Sequence, residues 1–279
     1  MKKLMLVAAV TSIAALRPAV LSADGVSSEN IVGYNTVTLK KGYNMLAVNF
    51  QNVAAPADGI SIQDLGFTLE AGLTGGTGPV AGDQIQIYDA TAGEYTTYFL
   101  YNNTRQPTNV KNGKWCTTAT GAPVATVSIR NGASFWYLKR GDDDASISIA
   151  GAVSTQPSQT IEIVAGYNMV GNAFPANFNP NTLGQDYWKS AIASGAVGGT
   201  GPVAGDQIQV YDATAGEYTT YFLYNNTRQP TNAKNGKWCT TATGAPVVDT
   251  TAEVLPVGKG AWYLHRGSGF TLTAPTPVN

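Results

Sequence analysis

The sequence predicts an all-β protein: two tandem, similar β-sandwich (or barrel-like) domains after a signal peptide. Three observations predict it. Residues 75–124 return as residues 198–247 with only two differences in 50 positions, Ile87 against Val210 and Val110 against Ala233. Short runs rich in Ile, Tyr, Thr and Phe alternate with Gly, Asn and Asp turn signals, the pattern of a sandwich or barrel. No stretch carries a sustained 3.6-residue apolar period, so long amphipathic helices are not expected.

The N-terminus reads as an export signal. Lys2 and Lys3 precede an apolar run of 13 residues, Leu4 to Leu16, and Leu21-Ser22-Ala23 ends in small residues before Asp24. That layout places a signal peptide at 1–23, cleaved after Ala23, and predicts a secreted protein, extracellular or held at a bacterial cell surface. The other reading is a buried N-terminal helix. No later run reaches the length of a transmembrane helix.

Strands are expected over Ile31–Leu39 and Asn44–Phe50, with Lys40-Lys41-Gly42 as the turn between them, and Ser61–Leu65 as a short helical turn. Gln84–Tyr88 and Tyr95–Tyr101 form a hairpin around Asp89-Ala90-Thr91-Ala92-Gly93. Lys111-Asn112-Gly113-Lys114 predicts a type I′ turn with strands on both sides. Trp115–Thr118, Ala125–Ile129, Ser134–Lys139 and Ser146–Ala150 complete a unit of about seven or eight strands.

The flanks of the repeated block also return, more loosely. Gly42-Tyr43-Asn44-Met45 recurs as Gly166-Tyr167-Asn168-Met169, and Trp136-Tyr137-Leu138 as Trp262-Tyr263-Leu264. A unit of this length is a whole domain rather than a solenoid repeat. The expected division is 24–153 and 154–279, joined near Ser154-Thr155-Gln156-Pro157-Ser158.

Gly166-Tyr167-Asn168-Met169-Val170-Gly171-Asn172-Ala173-Phe174-Pro175 resembles the "GWNLVGNPF"-type opening of β-domains in uncharacterised secreted bacterial surface proteins of Verrucomicrobia, Lentisphaerae and Bacteroidetes. The later Gly-Asp-Gln-Ile-Gln and Phe-Trp-Tyr segments are similar to them as well. The resemblance covers nearly the whole mature chain and implies secretion, not chemistry. In the first copy, Leu46-Ala47-Val48-Asn49-Phe50 departs from the motif, and no functional residue carries over.

Only 13% of the residues are charged, about half the usual share, and Thr, Asn, Gln and Ser supply the polarity instead. Removing Lys2, Lys3 and Arg17 from the 17 basic residues leaves 14 against 18 acidic ones. Without a basic stripe, nucleic-acid binding is not expected.

No catalytic residues, metal site or cofactor are expected. His265 is the only histidine, and Lys139 stands in its place in the first copy; it reads as a surface histidine near a strand end. Asp83 and Asp89, and Asp206 and Asp212, bracket a strand too long to bring the pair within the 5–10 Å that a glycosidase needs. Asp142-Asp143-Asp144 reads as a solvated loop, since Ser268-Gly269 replaces it in the second copy. Two cysteines and one histidine are too few for a zinc site. Cys116 and Cys239, at equivalent places, are candidates for a disulfide or crosslink, or are buried or free thiols.

The aromatic residues give the strongest functional hint. Tyr95, Tyr98, Tyr101 and Trp115 recur as Tyr218, Tyr221, Tyr224 and Trp238. Rings left exposed beside Gln84, Gln86, Asn102 and Asn103 would suit stacking on sugars, and equally a subunit interface or the core. Two functions follow as expectations. One is a secreted, non-enzymatic structural protein that self-associates. The other is a module that binds a surface polysaccharide, with an extracellular hydrolase ranked behind both.

Overall fold

The computed structural model describes residues 31–55, 57, 59–247 and 253–276. The expected signal peptide and its cleavage point lie outside the described residues. The protein is all-β, with antiparallel sheets throughout. The first half runs β1 (Val32–Leu39), β2 (Gly42–Ala47), β3 (Ile60–Ser61), β4 (Gln84–Asp89), β5 (Glu94–Leu100), β6 (Trp115–Thr117), β7 (Ser128–Ile129), β8 (Ser134–Lys139) and β9 (Ala145–Ala152). The second half runs β10 (Ser158–Ile163), β11 (Gly166–Gly171), α1 (Gln185–Ala193), β12 (Gln207–Asp212), β13 (Glu217–Tyr224), β14 (Lys237–Thr240), β15 (Gly260–His265) and β16 (Phe270–Pro275).

Strand order repeats between the halves. The first has a five-stranded sheet β2-β8-β4-β5-β6 and the second the matching β11-β15-β12-β13-β14. In each half the first and last strands form a separate ribbon, β1 with β9 and β10 with β16. The ribbon closes over one face of the five-stranded sheet, as in a sandwich. Val37, Leu39, Ile147 and Ile149 of the first ribbon meet Leu46, Ile85, Leu100 and Tyr137 of its sheet. In the second half Ile163 and Phe270 meet Ile208, Leu223 and Tyr263.

The expected hairpin at Asp89–Gly93 forms as read. Asp89 faces Glu94, and the Asp89 carboxylate accepts from the Thr91 and Ala92 amides. Lys111–Lys114 differs from the expectation. Type I′ needs positive φ at both central residues. Only Gly113 has it, at 77°, and no residue other than glycine does among the described residues. The Asn112 side chain is engaged instead in bracing the loop before β6, accepting from the Asn103 amide and donating to Gln106 and Pro107 carbonyls. A strand therefore follows the turn but none precedes it. The turn at 61–65 is a single hydrogen-bonded one, Asp64 N to Ser61 O, leading out of β3.

Helix α1 was not expected. Tyr187, Trp188, Ala191 and Ile192 gather on one side of it and pack on the second core, but nine residues are too few to show a sustained period. The second core also differs by a substitution. Phe135, fully buried in the first core, is replaced by Ala261 in the second. Trp188 packs on Trp238 with ring centroids 5.2 Å apart, and an apolar cavity of about 50 Å³ remains beside Ala261, Tyr263 and Trp188.

The outer faces of the two five-stranded sheets meet through Met45, Trp136, Met169 and Trp262. Their contacts are reciprocal. Trp136 packs edge-on against Tyr211 at 5.0 Å, and Trp262 against Tyr88 at 5.1 Å. Leu46 bridges Lys259, and its counterpart Val170 bridges Ala133. Ala47 N donates to Gly258 O at 3.0 Å, and Gly171 N to Gly132 O at 2.8 Å. Each contact is thus made twice with the halves exchanged, which is the signature of a two-fold interface. Here both partners belong to one chain.

Candidate functional site

A cleft of about 320 Å³ opens where the two sheets meet. Tyr43, Gln86, Tyr95 and Trp136 line it from the first half, Tyr211 and Tyr218 from the second. Strand alternation puts these side chains there. On β8, Phe135 and Tyr137 point into the first core, so Trp136 between them points out. On β4, Ile85 is buried in the core, so Gln84, Gln86 and Tyr88 share the opposite face. Cross-strand pairing then sets Tyr95 opposite Tyr88 and Gln86 opposite Trp136.

The rings form two reciprocal rows. Tyr43, Trp136, Tyr211 and Tyr218 follow one another at centroid separations of 5.7, 5.0 and 5.1 Å. Tyr167, Trp262, Tyr88 and Tyr95 repeat the row at 5.6, 5.1 and 5.0 Å. Each row draws two rings from each half. The tryptophans are buried and fix the rows, while the end tyrosines Tyr43, Tyr95, Tyr167 and Tyr218 stay 44 to 46% exposed. Burial pushes the Tyr95 and Tyr218 hydroxyls above their ordinary pKa, with Trp136 and Trp262 opposing it by hydrogen bonding, so both remain neutral donors and acceptors. No charged side chain lines the cleft. The amides of Gln84 and Gln86 are linked, Gln86 Nε2 donating to Gln84 Oε1 at 2.9 Å and Gln84 Nε2 to Pro79 O at 2.7 Å. Gln207 and Gln209 repeat the arrangement in the second half.

Of the aromatics singled out by sequence, Tyr95 and Tyr218 reach this cleft. Tyr98 and Tyr221 lie on the opposite face of β5 and β13; each lines a separate groove beside its own hairpin. Tyr101 and Tyr224 are half-buried beneath Lys111 and Lys234, whose ammonium groups stand 5.5 and 5.7 Å from the ring centroids. Trp115 and Trp238 are core residues, 1% and 0% exposed, with no ring face open to a ligand. The main-chain groups of both tryptophans are clamped by a side-chain amide. Gln63 donates to Trp115 O and Val124 O, and Asn181 to Trp238 O and Val247 O, each pair of bonds at 2.9 Å. Sequence reasoning missed Tyr43, Tyr88, Trp136 and their counterparts as site residues. The signal was the recurrence of Tyr43 and Trp136 in both flanks of the repeated block.

Cys116 and Cys239 are free thiols, each buried, and are not bonded to each other. Burial pushes both thiols up, away from the reactive thiolate.

His265 is buried rather than on the surface, because β15 turns it inward against Phe270. Its Nδ1 lies 3.0 Å from Asp206 Oδ2, which also accepts from the Tyr263 hydroxyl and the Val197 amide. Asp83 holds the same place in the first half, bonded to Tyr137 and the Thr74 and Arg140 amides. Both carboxylates are fully buried and tie loops to the sheet. Asp142 and Asp144 pair with Lys41 and Lys40. No group of three or more potential metal ligands occurs among the described residues. No described helix is long and apolar enough to cross a membrane.

Compared with known families, curated proteins and solved structures, the chain matches none.

Proposed function

We propose that this is an exported, non-enzymatic protein that binds a neutral glycan in the cleft between its two halves. The observation that carries the proposal is the grouping of partly exposed tyrosines from both halves around one uncharged cleft with Gln86 at its wall. Sugar rings present apolar C–H faces and a rim of hydroxyls. Fixed aromatic faces meet the first, and tyrosine hydroxyls and an amide meet the second. Without lysine or arginine in the lining, an acidic polysaccharide gains nothing there.

The test is titration of residues 24–279 with neutral polysaccharides such as xylan, mixed-linkage glucan and mannan, and with alginate as the acidic comparison, followed by intrinsic tryptophan fluorescence and calorimetry. Binding of a neutral polymer is expected. Silence across the neutral set would overturn the proposal.

A second reading, self-association into a surface layer, is favoured by Ile31, Val32 and Tyr34, which are 61, 62 and 74% exposed along the first ribbon. A mass that grows with concentration and falls when Tyr34 is replaced by a charged residue is its expected signature.

A further inference from the structure

We infer that the two halves recognise each other through unlike residues on their two-fold axis, so that a first half fits a second half and does not fit another first half. In any reciprocal interface the residues nearest the axis meet their own counterparts. Two such pairs occur here. Ala47 faces its counterpart Gly171, and Ser134 faces its counterpart Gly260. In both pairs the second half supplies the glycine. A Cβ at Gly171 would lie 2.3 Å from the Ala47 Cβ, and a Cβ at Gly260 would lie 2.4 Å from the Ser134 Cβ, well inside any contact that Cβ atoms make.

Two first halves would therefore collide at both axis positions. Two second halves would meet glycine to glycine, leaving a gap where a methyl group now packs. Asn49 adds a third distinction. It is fully buried and spans the junction, donating to Asn172 O at 2.6 Å and accepting from Gly258 N at 2.7 Å. Its counterpart Ala173 has no amide to offer, and instead packs 3.3 Å from where a Cβ on Gly132 would stand. Only the unlike pair has room at both axis positions and an amide across the junction.

The inference does not rest on glycan binding. It concerns how the cleft is built, since each aromatic row needs rings from both halves.

Exchange of the axis residues within the full chain tests it. Gly171→Ala alone is expected to lower the thermal midpoint by several degrees and to shift the tryptophan emission to the red as Trp136 and Trp262 at the junction become wetter. Adding Ala47→Gly, which moves the methyl group to the other side of the axis, is expected to restore most of both. At the second position a Cβ on Gly260 would also lie 2.8 Å from the Leu46 carbonyl oxygen, so adding Ser134→Gly to Gly260→Ser is expected to restore only part of the loss. If Gly171→Ala alone yields no soluble protein, its recovery in the exchanged pair supports the inference. A Gly171→Ala/Ala47→Gly pair no better than Gly171→Ala alone would overturn it, because a glycine needed only for its own strand is not rescued from across the junction.

Discussion

Tyr137 donates its hydroxyl to the buried carboxylate of Asp83 at 2.9 Å, and Tyr263 does the same for Asp206 at 2.9 Å. Burial first, and then the adjacent carboxylate, hold both phenols well above their ordinary pKa of 10.0. Burial alone pushes Tyr187 up to about 12. A phenol whose pKa is raised by folding stabilises the fold below its unfolded value, and that contribution is lost as pH rises through the folded value. Stability is therefore expected to fall steadily above pH 10. A phenolate absorbance titration, followed alongside circular dichroism, checks it. A fraction of the tyrosines should ionise only as the β signal is lost. Ionisation of every tyrosine with the dichroism intact would contradict this.

Tyr95→Ala and Tyr218→Ala each remove one exposed ring from the cleft while leaving Trp136 and Trp262 in place. Loss of one stacked ring costs about 0.5–1.5 kcal/mol, or up to about tenfold in affinity for a neutral glycan. Tyr98→Phe, on the other face of the sheet, is expected to leave affinity unchanged. Calorimetric titration of the three variants against the best polymer distinguishes them.

Both thiols are expected to resist modification. In the native protein Cys116 and Cys239 should react slowly with a thiol reagent, and both should react at once in denaturant. The mass in solution should not depend on reductant. Rapid labelling of the folded protein would show that these strands open readily.

The cavity beside Ala261 offers a gain in stability. Filling about 50 Å³ of apolar cavity is worth about 1 kcal/mol at roughly 24 cal/mol per Å³. Ala261→Val is expected to raise the thermal midpoint by about 2–4 °C. A lower midpoint would mean that Trp188 and α1 already fix the site too tightly to admit two more methyl groups.

The strands were legible wherever a run of β-formers ended in a turn with its own chemistry. Ser134–Lys139 forms at the residues expected, and the hairpin capped by Asp89 and Gly93 forms with its register set by the loop. What could not be read was which face of each strand is inside. Both faces of the five-stranded sheets bury residues, one against the ribbon and the other against the second sheet, so polar and apolar residues do not separate. Trp115 and Trp136 stand in similar short runs, yet one is a core residue and the other a wall of the cleft. The axis pairs were hidden for a different reason. Ala47 against Gly171 looks like ordinary drift between copies until the fold sets the two residues face to face.

The ribbons also determine how each half meets a pull along the chain. Val32, where β1 begins, pairs with Ala152, where β9 ends, and Ser158 pairs with Pro275 in the same way. Tension arriving through the flanking chain reaches both strands at the same end. It opens the ladder one rung at a time, as a zipper parts, instead of loading all the rungs together in shear. In the first half the Gln51–Ala152 bonds at the mouth of the ladder would be among the first to be loaded.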